Sequence, residues 1–289
     1  MTPDLRQRNE NIDILKIIAT FLIVVSHFVP KYLWNGNEEL CGYMRQDLAS
    51  GNFNDQIMMF YNTLGQIGNN LFVVCSAWFL LDSRKCKVRR LLDMEFDLIV
   101  LGLVWIGITL LFGQEISRDY VVRTLLPLSN YTYWFFSCYA LFYLLHPACN
   151  MVLEKLNKQQ LLNVVLLLMF LYSIMQFVKP SYLFFTPLVG FITIYFYVAY
   201  NKLHLPKFSQ NHKANGFVML GCVVILILMN LTNNFIGLRI SSYRFEMARW
   251  NNYINLFVIL LGISTFNLLT RCLRLTRALL WFGGCLPCR

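Results

Sequence analysis

Eight stretches of this sequence are apolar over about the length an α-helix needs to cross a bilayer, and no other feature limits the possible folds so sharply. They run approximately over Ile14–Val29, Ile57–Leu81, Phe96–Phe112, Tyr131–Cys149, Leu161–Val178, Leu183–Tyr200, Gly216–Leu231 and Tyr253–Leu269, and a ninth begins at Ala278 and is cut off by the end of the chain. Hydrocarbon offers no partner to a backbone N–H or C=O, so a chain crossing it many times must do so as helices. The expected architecture is all-α: a polytopic transmembrane helical bundle of about eight spans plus a partial ninth, one integral-membrane domain over residues 1–289. Composition supports this. Hydrophobic residues make up 57 % of the chain and charged residues 14 %, where a soluble domain carries about 25 % charged residues. So few charges cannot cover a water-facing surface, and so much apolar residue excludes a disordered chain.

The net charge of +10 therefore concerns orientation and anionic lipid, not nucleic acid. With the N-terminus inside, sixteen Lys and Arg fall on the inner side and eight on the outer, Arg289 standing apart. That asymmetry predicts a cytoplasmic N-terminus. Tyr131, Tyr133, Trp134, Trp250 and Tyr253 open spans at interfacial depth. The first span carries Asp13 and Lys16 and has no small-residue cleavage site, so it does not read as a cleaved signal peptide.

Most of the nine cysteines lie in or beside apolar runs and behave as small hydrophobes. Cys285 and Cys288 form a lone C-x-x-C pair with neither the second pair of a zinc ribbon nor a redox strand–helix context. No metal site, permanently bound cofactor or phosphate-loop motif is expected.

Chemistry is most legible in the first span. At 100° per residue, Asp13, Lys16, Thr20 and His27 fall within about 80° around the helix axis and form one polar stripe. Lys16 and His27 lie roughly 16 Å apart along the axis, so Lys16 sits near the cytoplasmic end and His27 in the outer half. Ionisable groups in a span usually face the bundle interior or a wet cavity. Two readings of His27 stand: an interfacial imidazole on a neighbouring carbonyl, or a base that removes a proton from a hydroxyl. Asp13 and Lys16, one turn apart, equally form an ordinary ion pair.

These residues open a resemblance. Ile12-Asp13-Ile14-Leu15-Lys16-Ile17-Ile18-Ala19, followed by Ile23-Val24-Val25-Ser26-His27, is similar to the start of the acyltransferase family 3 proteins. Asn69 through Leu80 resembles that family's second-helix block, Arg84 through Arg90 its Arg-rich segment, and Tyr133-Trp134-Phe135, continuing past Pro147 to Asn150, its Tyr-Trp-Phe block. Together the blocks cover residues 11–150 in the family's order. Lys16 stands where the family usually has Arg, which turns a bidentate contact into a point charge. Ala77 stands where it usually has Gly. Members typically continue through a further last span, so this ending reads as a truncation and leaves an inactive fragment as one reading.

The family consists of multi-pass bacterial enzymes that O-acylate, most often O-acetylate, surface polysaccharides. The resemblance thus implies an acyl-coenzyme A (acetyl-coenzyme A) co-substrate, a carbohydrate or lipid-linked glycan acceptor, and a place in the bacterial cytoplasmic membrane among its lipids. His27 would be the general base, with Lys16 and Asp13 along the passage. Arg84, Lys85, Lys87, Arg89 and Arg90 would hold the donor phosphates, although five inner cations also suit a topology signal. Ser76, Asn69 and Asn70 would line the site, Asn69 and Asn70 equally suiting a helix cap. A different class of function, a small-solute transporter or flippase with His27 in a proton relay, fits the same stripe.

Overall fold

The computed structural model describes residues 10–27, 53–128, 133–175, 186–239 and 252–272, and these contain helices and no strand. In chain order the helices are α1 (Glu10–Ser26), α2 (Phe53–Leu80), α3 (Val88–Leu111), α4 (Arg118–Leu125), α5 (Trp134–Lys155), α6 (Lys158–Leu168), α7 (Pro187–His204), α8 (Pro206–Gln210), α9 (His212–Arg239) and α10 (Leu256–Asn267). α6 winds on as a π-helical turn over Met169–Ile174, and α10 does the same over Leu268–Cys272. Each of the eight apolar runs overlaps one of these helices within the described residues. α4 and α8 are additional and too short to register in a hydropathy scan.

Three helices are long and apolar enough to cross a membrane: Val88–Leu111, Trp134–Lys155 and His212–Thr232, among the described residues. The π-extended α6 and α10 are apolar but shorter. The exposed faces have the chemistry that lipid requires. α3 buries only Leu98 and Gly102, while Val100, Leu101, Leu103, Val104, Trp105 and Leu110 are exposed. Water would oppose so continuous an apolar surface; hydrocarbon does not.

The chain forms two compact units. The first comprises Met1–Trp78, Asn157–Phe185 and Thr193–Arg289, the second Phe79–Leu156 and Thr186–Ile192. In the first unit α10 is buried on every side. Val258, Ile259, Leu261, Ile263 and Phe266 are enclosed together with Gly262, Ser264 and Asn267, the sign of a helix at the centre of a bundle. Cys222 and Leu226 of α9 pack on Val258 and Leu261. α1 contributes Ile12, Leu15 and Ala19, three or four residues apart on one face. Its approach to α2 depends on Gly68, where an added Cβ would sit 2.6 Å from the Ala19 carbonyl oxygen and 2.9 Å from Ile23 Cγ1. Backbone atoms cannot step aside as a flexible side chain can, so α1 and α2 meet this closely only over glycine.

In the second unit Phe191 packs against Phe135 and Phe142 of α5 at ring separations of 5.2 and 5.9 Å. α4 starts at Ser117, whose hydroxyl accepts the Tyr120 N–H at 3.2 Å. It closes on α3 where Gly102 faces Thr124: an added Cβ would lie 2.5 Å from the Thr124 methyl.

Candidate functional site

α1 buries the face of Ile12, Leu15, Ala19 and Ser26, and the polar stripe lies roughly 100° round the helix from it. Asp13 and Lys16 are accordingly half-buried, and Thr20 and His27 exposed. The Thr20 hydroxyl donates to the Lys16 carbonyl at 2.9 Å, a back-bond within the helix. His27 follows the last turn, its backbone N–H donating to the Val24 carbonyl at 3.0 Å. The preceding residue fastens this end: the Ser26 hydroxyl donates to the Ile23 carbonyl at 2.6 Å, and its side chain lies where a Cβ on Gly65 of α2 would have to go.

α2 is laced with buried polar groups, among them Thr63, Asn69, Asn70 and Ser76. Asn70 and Gln66, one turn apart, grip the main chain of the same residue. The Asn70 amide donates to the Tyr253 carbonyl at 2.7 Å, and Gln66 Oε1 accepts the Tyr253 N–H at 3.0 Å. Asn70 Oδ1 faces Gly262, where no Cβ would fit, and has no hydrogen-bond partner among the described residues. Asn69 and Asn70 lie in the middle of α2 and cap no helix. Ser76 is turned onto its own helix, its hydroxyl donating to the Phe72 carbonyl at 2.9 Å. The end of α1, the Gly65–Asn70 stretch and the Tyr253 turn thus belong to one unit, whereas Arg84, Lys85, Lys87, Arg89 and Arg90 belong to the other.

The basic segment is a short loop and the first turn of α3. Arg89 and Arg90 are already helical, because α3 begins at Val88, eight residues before the apolar run at Phe96 that marks it in the sequence. No side chain caps this helix start and no acidic residue occupies its first turn. Cations here oppose the helix dipole, which favours negative charge at this end. Arg84 bridges to Glu154 at 3.0 Å, and Lys85, Lys87, Arg89 and Arg90 are exposed.

His146, fully buried on α5, solves a problem set by its neighbour. Pro147 has no N–H, so the Tyr143 carbonyl four residues earlier loses its helical donor. His146 Nδ1 lies 2.5 Å from that oxygen. A carbonyl only accepts, so Nδ1 carries the proton. Nε2 has no partner among the described residues. His146→Phe is therefore expected to destabilise the protein by about 1–3 kcal/mol, the cost of an orphaned buried acceptor. Adding Pro147→Ala restores the backbone donor and should recover most of the loss, as measured by thermal unfolding in detergent.

Further buried polar groups had only one signal in sequence, the expense of an amide in an apolar helix. Asn267 Nδ2 donates to Asn215 Oδ1 at 3.0 Å and Asn201 Nδ2 to Asn267 Oδ1 at 3.2 Å, joining α10, α9 and α7. Asn230 Nδ2 donates to Thr63 Oγ1 at 3.0 Å, joining α9 to α2. Lys202 Nζ donates to the Trp78 carbonyl at 2.9 Å and stands 4.6 Å from the Trp78 ring centroid, a cation at a helix C-terminus as the dipole favours. Among the described residues no group of three or more His, Cys, Asp or Glu is placed to hold a metal ion.

A protein-family model described as an acyltransferase domain matches residues 9–285. No curated protein and no solved structure matches the chain.

Proposed function

The chain belongs to acyltransferase family 3, and from that premise we propose that it moves an acyl group, most simply acetyl, from acyl-coenzyme A to a hydroxyl of an extracytoplasmic carbohydrate or lipid-linked glycan. His27 takes the hydroxyl proton as the oxygen attacks the thioester carbonyl, and collapse of the tetrahedral intermediate expels the coenzyme A thiolate. The exposure of His27 at the end of α1 suits a base that must meet an acceptor from outside the bundle. Lys16 and Asp13, a few turns further into the helix, line the way for the pantetheine arm.

The observation that carries the reading is the start of α3. Its first N–H groups have no side-chain cap, and Arg89 and Arg90 sit in its first turn, where a helix alone disfavours them. The Arg90 N–H already donates to the Lys87 carbonyl at 2.9 Å, so a pyrophosphate and a ribose phosphate would take up the N–H groups ahead of it together with the cations. In this reading the segment faces the cytoplasm, the chain crosses the bacterial cytoplasmic membrane eight times, and the N-terminus is inside, as the sixteen-to-eight distribution of basic residues supports.

The test is the purified protein in lipid vesicles, given acyl-coenzyme A labelled in the acyl group together with an extracted lipid-linked glycan. Label should pass to the glycan as an ester that mild base releases. Solute flux through the vesicles with no label transferred would replace this reading with that of a transporter.

A further inference from the structure

The basic segment is held at both ends by a single face of α5. Asn150, 6 % exposed, donates from Nδ2 to the Leu80 carbonyl at 2.9 Å and to the Ser83 carbonyl at 2.8 Å. One amide thus closes the last turn of α2 and grips Ser83, the residue just before the basic run. Two turns earlier, Tyr143, 3 % exposed, accepts the Lys87 N–H on its hydroxyl at 3.0 Å, and Lys87 is the residue immediately before α3. Positions 143, 146 and 150 recur at helical spacing and so share a face, with the buried His146 ring 5.2 Å from that of Tyr143. Inside the loop the Ser83 hydroxyl donates to the Lys85 carbonyl at 3.2 Å.

These contacts act on main chain, and the charged side chains of Lys85, Lys87, Arg89 and Arg90 stay exposed. Four cations within six residues repel one another, and an unanchored loop would spread them. Anchoring Ser83 and Lys87 removes that freedom before a ligand arrives, so less entropy is lost on binding. It also determines where α3 starts, and hence where its first N–H groups and Arg89 and Arg90 point.

We infer that Tyr143 and Asn150 are positioning residues for the phosphate-bearing end of the acyl donor: they shape the basic segment without touching the ligand themselves. The inference rests on the reading of that segment as the donor site. It commits to a division of labour in which the two residues matter for the nucleotide half of coenzyme A and not for the thioester.

The experiment compares two donors, acyl-coenzyme A and S-acyl-pantetheine, the second carrying the same thioester without the nucleotide. The full chain in vesicles is used with Asn150→Ala, Asn150→Asp and Tyr143→Phe. Asn150→Asp keeps the size but offers oxygens to two carbonyls, so it should fail at least as badly as alanine. The KM for acyl-coenzyme A should rise roughly tenfold in each variant, the equivalent of about 1.4 kcal/mol. kcat should hold within about twofold, and the KM for S-acyl-pantetheine should not move. An equal loss with both donors overturns the inference, because it marks the residues as general supports of the fold; so does an unchanged KM for acyl-coenzyme A. The Arg89→Ala/Arg90→Ala variant is measured alongside. If it too leaves the acyl-coenzyme A KM unchanged, the donor reading falls and takes this inference with it. If it raises that KM while Asn150→Ala and Tyr143→Phe do not, only the positioning role fails.

Discussion

His27→Gln is expected to lower the rate of acyl transfer by roughly 10²–10⁴-fold, the usual contribution of a positioned general base, while the protein remains folded. Glutamine keeps a polar, hydrogen-bonding side chain of similar reach and cannot take up a proton. The structure makes the experiment clean. His27 is exposed, whereas the packing of α1 runs through Ile12, Leu15, Ala19 and Ser26. A substitution at position 27 therefore leaves the buried face of α1 unaltered. His27→Ala should be as inactive as His27→Gln. The readout is initial rate from labelled acyl-coenzyme A in vesicles, alongside a thermal melt in detergent. A glutamine variant within about threefold of the unaltered protein would exclude His27 as the base.

Arg89→Ala combined with Arg90→Ala should weaken coenzyme A binding by more than either change alone. A hydrogen bond to a charged group contributes about 1.5–3 kcal/mol, so each arginine accounts for roughly a 10- to 150-fold change. Replacing both by lysine should recover part of the binding, since charge is kept and the planar fork is lost. Binding should also fall as salt is raised, because these side chains are exposed. A second consequence separates binding from support of the fold. Both arginines sit in the first turn of α3, where positive charge opposes the dipole by about 0.3–1 kcal/mol each. Removing them should leave α3 no less stable. Isothermal titration with coenzyme A and a thermal melt on the same sample check the pair. Unaltered binding combined with a reversed orientation, read by protease access to the loop, would make the segment a topology signal alone.

The apolar pattern located helices well because the requirement it reads is local: a run that cannot be solvated must satisfy its own backbone. Helix ends were less legible. α3 starts at Val88 and not at Phe96, because Arg89, Arg90 and Asp93 break an apolar count without breaking a helix. α2, a 28-residue helix, reads as a span in sequence although its polar residues Thr63, Asn69 and Asn70 are enclosed by protein. Asn69 and Asn70 were legible as site residues by polarity alone, and the peptide that Asn70 holds lies 183 positions away. Asn150 gave still less warning. It closes a motif recognisable in sequence, but its two carbonyl partners are 67 and 70 positions away, and no spacing rule reaches that far. His146 is the opposite case: with proline next to it and the freed carbonyl three residues back, its partner was within reach of local reasoning.

The double grip of Gln66 and Asn70 on Tyr253 also bears on how the protein is made. Both side chains leave the ribosome long before the residue they hold. At roughly 5–20 residues per second, about 10–40 s pass between the synthesis of Asn70 and that of Tyr253. During that interval α2 carries polar groups whose final partners do not yet exist, and lipid cannot stand in for them. α2 must wait beside water or within the insertion machinery, and its burial completes when the segment leading into α10 arrives. One of the earliest helices to be synthesised is thus among the last to be sealed.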